Sequence, residues 1–209
     1  MATQATAPRR SPSVEEMGAA VRRELHRRFP DRAGAEEIPV TCTRWADADG
    51  RSTPVVLVGA PAPAAGRPVV AAVDDDGCTS RVVRHAAEQA RRLAVPLRVV
   101  HVWTGQDRSA PCPRTRYHDG ACDADRLLSA VLYDHLPQAE ADAAEREIRH
   151  DSAVVPSLAA LSATASLVVV AACSRPPSAD EPLGDTVRAL VGHTACPLAV
   201  LAPEQGAGT

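Results

Sequence analysis

The chain has 209 residues, of which 45% are hydrophobic and only 2% aromatic, and its formal net charge at pH 7 is −3. This length allows one domain with an extension, and the core must be built from Val, Leu and Ala. The absence of a basic excess argues against a nucleic-acid partner. No apolar run approaches the ~20 residues of a membrane span. The N-terminus has no apolar signal core, so we expect a cytoplasmic protein.

The N-terminal part of the chain predicts a short extension in front of a larger domain. Residues 1–13 are polar and predict a disordered tail. Residues Val14 to Phe29 carry apolar side chains at helical spacing, and the arginines at the end of this helix are expected to be solvated. Ile38 to Trp45 alternates like a half-buried strand, and the apolar run Pro54 to Val58 completes a hairpin with a long loop. Residues 61–67, rich in Pro and Ala, form the predicted linker.

Residues 68–203 predict five strands alternating with helices. The strands are expected at Pro68 to Val73, Leu97 to Trp103, Ala144 to His150, Leu167 to Val170 and Leu198 to Leu201. The helices are expected from Ser80, as N-cap, to Leu93, over Leu127 to Leu136, over Ser157 to Ser166, and from Gly184 to a stop at Pro197. The third strand is expected at an edge with Ile148 inward, and Thr104 to Asp123 as a polar loop. This alternation predicts an open parallel α/β sheet with helices on both faces.

The six cysteines form no CxxC pair, and reduced thiols are expected in a cytoplasmic chain. One cluster could hold a metal ion: Cys112, His118 and Cys122, with Asp119 and Asp123 beside them. The spacing of this cluster matches no standard zinc pattern. The prediction is therefore incidental thiols, and a metal site in this loop is the minor alternative.

Three stretches of the second part resemble the universal stress protein family. They are VVAAVD followed by a helix ending in ARRLAVPLRVVHVW, then EREIRHDSAVVPSLAALSATASLVVV, and finally LGDTVRALVGHTACPLAVLAP. Together they span Arg67 to Pro203, and their combined order is specific. The resemblance implies a five-stranded flavodoxin-like α/β domain, commonly dimeric. Because many members hold two domains in tandem, residues 14–60 are interpreted as a truncated first repeat, or else as an unrelated extension.

The resemblance also implies where a nucleotide would bind. ATP-binding members carry a loop of the form G-x-x-G, nine residues, then Gly with Ser or Thr, whose backbone N–H groups and hydroxyl meet phosphates. The four positions are occupied here by Ala171, Ser174, Gly184 and Asp185. Only one glycine remains, and a carboxylate replaces the hydroxyl. The predicted loop is therefore degenerate.

Other residues also indicate that the nucleotide loop is degenerate. Pro176 and Pro177 remove two backbone N–H groups from this loop. Asp74 matches the family residue that contacts adenine, and it is followed by two further carboxylates, Asp75 and Asp76. Val102, at the end of the next strand, is the remaining position assigned to the site. We expect no cofactor, or weak ATP binding; Mg²⁺ bridging the carboxylates to phosphate is the alternative.

No catalytic constellation is readable in the sequence, and His101 is interpreted as a packed or strand-end residue. The predicted function is a non-enzymatic regulatory domain in stress response that acts through protein association. Alternatives are an adenine-nucleotide sensor with weak or no hydrolysis and, less favoured, a redox role for Cys173. The strand Leu198 to Leu201 is expected to pair with its copy in a second molecule or with Val55 to Val58 of its own chain. Neither a nucleic acid nor a membrane is expected as a partner.

Overall fold

The computed structural model describes residues 12–31, 37–47, 50–59, 66–74, 77–103, 116–151, 153–172 and 181–202, with the side chains of 116–123 set aside. The helices are α1 (Val14–Arg28), α2 (Thr79–Leu93), α3 (Arg116–His135), α4 (Gln138–Ala143), α5 (Val154–Ser162) and α6 (Asp185–Leu190). The strands are β1 (Val40–Ala46), β2 (Ser52–Val58), β3 (Val69–Val73), β4 (Leu97–Trp103), β5 (Glu145–His150), β6 (Leu167–Ala171) and β7 (Leu198–Leu201). Within these ranges, no helix is both long and apolar enough to cross a bilayer.

The seven strands of the described residues form one sheet, in the order β1-β2-β7-β6-β3-β4-β5. The five strands from β7 to β5 run parallel to their neighbours, while β1 pairs with β2, and β2 with β7, in antiparallel fashion. The predicted parallel α/β sheet with an N-terminal extension is thereby confirmed. Sheet growth reverses direction between β3 and β6, and such a switch point leaves a crevice at the carboxyl ends of the strands.

Two apolar layers cover the two faces of the sheet. Val168 and Val170 of β6 pack in the layer that contains α1, α5 and α6, while Val169 packs in the layer that contains α2, α3 and α4. Because the central strands are buried on both sides, their sequences are continuous apolar runs without alternation. This explains why the sequence identified β6 and β7 so clearly.

Helix α1 begins with a capping box and lies on the sheet. The Ser13 hydroxyl accepts from the Glu16 backbone N–H at 3.2 Å, and the Glu16 carboxylate accepts from the Ser13 N–H at 2.6 Å. The apolar stripe of the helix is buried through Met17, Val21 and Leu25, each at most 1% exposed. The N-terminal extension is therefore part of the main core.

Strand β2 covers the edge of β7. Val55 lies opposite Leu201 and Val58 opposite Leu198, so the pairing within the chain is the one that the structure contains. Association with a second molecule or with another protein stays a prediction. The edges of the sheet are β1 and β5.

Several predicted boundaries are wrong. Helix α3 begins at Arg116, inside the segment predicted as loop up to Asp123, because helix growth from the apolar turns around Leu128 extends through polar residues. Helix α5 begins at Val154, before the predicted Ser157, since a proline is tolerated in a first turn. Helix α6 ends at Leu190, well before Pro197: Gly192, with φ +76°, reverses the chain after it.

Three side chains differ from prediction in their environment. Ile148 is exposed, and the half-buried positions of β5 are Glu147 and Arg149, whose side chains pair at 2.5 Å on this edge strand. Ser80 does not cap α2, because the helix begins at Thr79 with Cys78 as N-cap and without a side-chain cap bond. The guanidinium of Arg28 is not solvated, since its side chain is only 15% exposed.

Candidate functional site

A crevice of about 420 Å³ lies at the carboxyl end of the sheet, at the switch point between β3 and β6. Its walls come from the ends of β3, β4 and β6 and from α2, α5 and α6. Most of the lining is aliphatic, including Val100, Val170 and Val187. This volume lies within the range of small-molecule sites, and apolar walls with a few polar groups are typical of them.

The crevice gathers five of the six residues that the sequence assigned to the site: Asp74, Val102, Ala171, Gly184 and Asp185. The sixth, Ser174, lies outside the described residues, as do Asp75, Asp76, Pro176 and Pro177. The structure thus brings the predicted positions from four elements to one place. That they bind a nucleotide stays a prediction.

The backbone at the exit of β3 is held by a residue that the sequence analysis passed over. The hydroxyl of Thr79, which is 6% exposed, donates to the backbone carbonyl of Asp74. This bond ties the first turn of α2 to the end of β3, next to the exposed Asp74 side chain. The sequence signal for this bond is a threonine at the first position of the helix that follows β3.

The start of α6 is poorly equipped to receive a phosphate. The N–H of Gly184, the N-cap residue, donates to the carbonyl of Ala172 at 2.7 Å and is therefore already used. The next residue, Asp185, is 95% exposed and accepts from Arg188 at 2.6 Å. This hydrogen bond is the main cause that raises the pKa of Arg188. The negative charge of Asp185 lies at the positive, N-terminal end of the helix dipole, where it stabilises the helix without a ligand. This agrees with a purely structural role.

His101 is not among the residues that line this crevice. Its Nδ1 lies 3.0 Å from the carbonyl oxygen of Val73, and since a carbonyl only accepts, Nδ1 carries the proton of that bond. Among the described residues, no group of three His, Cys, Asp or Glu side chains could hold a metal ion. The cluster around Cys112 and Cys122, and the thiol of Cys173, lie outside the described side chains.

A buried histidine, His85, lies on α2. His85 is 5% exposed, its Nδ1 has no hydrogen-bond partner among the residues that the structure describes, and burial lowers its pKa to about 4. Its ring meets the indole of Trp45 edge to face, with centroids 4.9 Å apart. Trp45 in turn donates to Glu88 at 2.5 Å. This group fixes β1 to α2 and contributes nothing to the crevice.

Comparison with known proteins agrees with the resemblance stated above. The model of the universal stress protein family matches residues 66–202. A universal stress protein from Archaeoglobus fulgidus is 22% identical, over 65% of this chain and 93% of that one, with a TM-score of 0.47. The structure of the protein from the same organism in complex with dAMP is 20% identical, over 65% and 97%, with a TM-score of 0.45.

A further solved structure is the universal stress protein UspA from Lactobacillus plantarum. It is 18% identical, covers 66% of this chain and 99% of that one, and has a TM-score of 0.48. No curated protein matches the chain.

Proposed function

The chain belongs to the universal stress protein family, and from this membership we propose that it is a cytoplasmic regulatory domain of the stress response. It has no catalytic activity of its own, its crevice has lost strong ATP binding, and it acts by associating with another protein. The observation that carries this proposal is the carboxylate of Asp185 at the helix start that lines the crevice.

The electrostatic effect of Asp185 on a bound phosphate is unfavourable. Two unit charges of the same sign about 4 Å apart repel by about 1 kcal/mol in water and about 4 kcal/mol at an effective dielectric constant of 20. Because Asp185 is 95% exposed and paired with Arg188, the lower value applies. The repulsion grows with the number of phosphate charges, so a triphosphate loses more affinity than a monophosphate.

The polar groups that the structure describes in the crevice include no activated nucleophile. Among the described lining residues they are Asp74, Thr79, Asp185 and Thr186. The Thr79 hydroxyl donates to a backbone carbonyl, and Asp185 accepts from an arginine. Hydroxyl catalysis needs a base within hydrogen-bond reach of the nucleophile. This composition supports a role in binding or regulation without chemistry.

Protein association is the remaining way in which such a domain can pass on a signal. Strand β2 of the N-terminal extension already pairs with β7. A partner protein would therefore have to bind a surface other than the edge of β7. An internal pseudo-dimer through this strand pair is the proposed state of the chain.

A second candidate function is an adenine-nucleotide sensor with weak or no hydrolysis. It is favoured by the aliphatic crevice at the switch point, which suits an adenine ring. On this hypothesis, Mg²⁺ would offset the carboxylates at the mouth.

A series of ligands separates the two functions. We expect ATP to bind more weakly than AMP, and AMP no more tightly than adenosine, in NMR titrations without metal. A sensor would instead bind ATP best, at least with Mg²⁺ present, and phosphate release from ATP would then measure hydrolysis. Tight ATP binding, with or without Mg²⁺, would contradict the proposal that the crevice has lost strong ATP binding.

A further inference from the structure

We propose that Arg28, in the N-terminal extension, is a positioning residue for the crevice. It holds the C-terminal end of α6 and thereby sets where the other end of that helix lies at the crevice mouth. The proposal rests on the proposed function, in that the crevice is taken as the ligand site of the domain.

The guanidinium of Arg28 binds the last turn of α6. Nη1 donates to the carbonyl of Ala189 at 3.1 Å, and Nη2 donates to the carbonyl of Arg188 at 3.2 Å. Nη1 also contacts the ring of His193, whose Nδ1 lies 2.8 Å from the same Ala189 carbonyl. These carbonyls belong to a helix end, where no intrahelical partner is available for them. A cation is favoured at that end by the helix dipole. The contact joins residues 160 positions apart in the sequence.

The extension orients this guanidinium from its own side. Glu24, which is 7% exposed, accepts from Arg28 Nη2 at 3.4 Å. Phe29 packs on the turn after α6: a Cβ on Gly192 would lie 2.8 Å from its ring and 3.4 Å from Leu25. Gly192 therefore admits the aromatic ring that a larger residue would exclude. Charge and packing together fix α1 against this end of α6.

Helix α6 is short enough to transmit this constraint. It has six residues and is therefore about 9 Å long. Residues Gly184, Asp185, Thr186 and Val187 line the crevice, while the carbonyls that Arg28 holds lie in the next residues of the chain. A shift at the held end moves the lining end, since a helix turn is a stiff unit. Docking of the extension and ligand binding are consequently coupled.

The chain offers a matched control for the test. Arg27 binds the same carboxylate of Glu24, through Nη2 at 2.5 Å and Nε at 3.1 Å, but its side chain is 70% exposed. Arg28→Met and Arg27→Met remove the same charge and a bond to the same partner. Only the first removes the bonds to α6 and the contact with His193, in the turn that follows this helix.

Two readouts are compared between these variants at a temperature where both are folded. In the ligand-free protein, Arg28→Met should shift the NMR amide signals of residues 184–187, and Arg27→Met should leave them in place. In titrations with AMP, Arg28→Met should weaken binding at least about fivefold, and Arg27→Met by less than about twofold. Arg28→Lys, which keeps the charge but not the fork, should lie between them.

The outcomes distinguish this proposal from the proposed function. Equal amide signals in the two methionine variants overturn the positioning role, as does unchanged AMP affinity in Arg28→Met. If the native protein binds no AMP, the ligand part of the site fails, and the ligand-free spectra alone decide whether Arg28 sets the crevice. Should Arg28→Met fail to fold, the same comparisons are made with Arg28→Lys.

Discussion

Replacing Met17 by Ala tests whether α1 belongs to the cooperative core. Met17 is 0% exposed and packs in the same apolar cluster as Val56 and Leu190. Truncation of a fully buried methionine costs about 2–5 kcal/mol, through lost transfer energy and the cavity left behind. Taking about 3 kcal/mol, and about 2–4 °C per kcal/mol for a chain of this size, the melting temperature should fall by about 6–12 °C.

The assay is urea and thermal unfolding followed by circular dichroism and tryptophan fluorescence. Leu93→Ala is the matched control, because Leu93 is 42% exposed and its truncation should change stability by no more than about 0.5 kcal/mol. A loss below about 1 kcal/mol in Met17→Ala would refute the packing described here. A separate early transition, with the main one unchanged, would show that α1 detaches alone and is not part of the cooperative unit.

Three further predictions follow from the sheet edge, the buried histidine and the crevice. Deleting residues 1–65 should uncover β7 and turn a monomer into a dimer or an aggregate; equal masses of both proteins by light scattering at micromolar concentrations would contradict this. Because His85 has a pKa of about 4, below its unfolded value, the unfolded state binds more protons between pH 6.5 and 4. Stability should therefore be complete above pH 6.5 and fall by an amount on the order of 3 kcal/mol towards pH 4; His85→Phe should flatten that part of the curve, and an unchanged slope would show that other groups cause it. Restoring Ala171→Gly, Ser174→Gly and Asp185→Ser together should raise ATP affinity more than the single changes combined, and additive gains would mean that the pocket is misplaced.

Much of the fold was predictable because its central strands are buried on both faces. The runs at β6 and β7 are apolar without alternation, and the order of strands and helices then allows few topologies. The resemblance to the universal stress protein family identifies the positions Gly184 and Asp185, because the chain retains the spacing of that family's loop. The pairing of β2 with β7 was foreseen as one of two arrangements, since the sequence identifies an apolar edge but not what covers it.

The remaining features depend on contacts that local patterns do not contain. Arg28 looked like part of a solvated last turn, because its partners lie 160 residues away. The apolar character of Ile148 predicts an inward side chain. In the structure Glu147 and Arg149 lie on the half-buried side of this edge strand and form an ion pair. The burial of His85 was not predictable, because helical spacing alone does not show that Trp45 packs against its ring.

Calorimetric titration of the full chain with ATP, with and without Mg²⁺, shows whether the crevice binds a triphosphate strongly. The crevice keeps its place at the switch point, while Asp185 and the occupied N–H of Gly184 both weaken phosphate binding there. We predict a dissociation constant above about 10 μM, or no detectable heat, in both conditions. Saturable binding below about 10 μM in either condition would contradict the account.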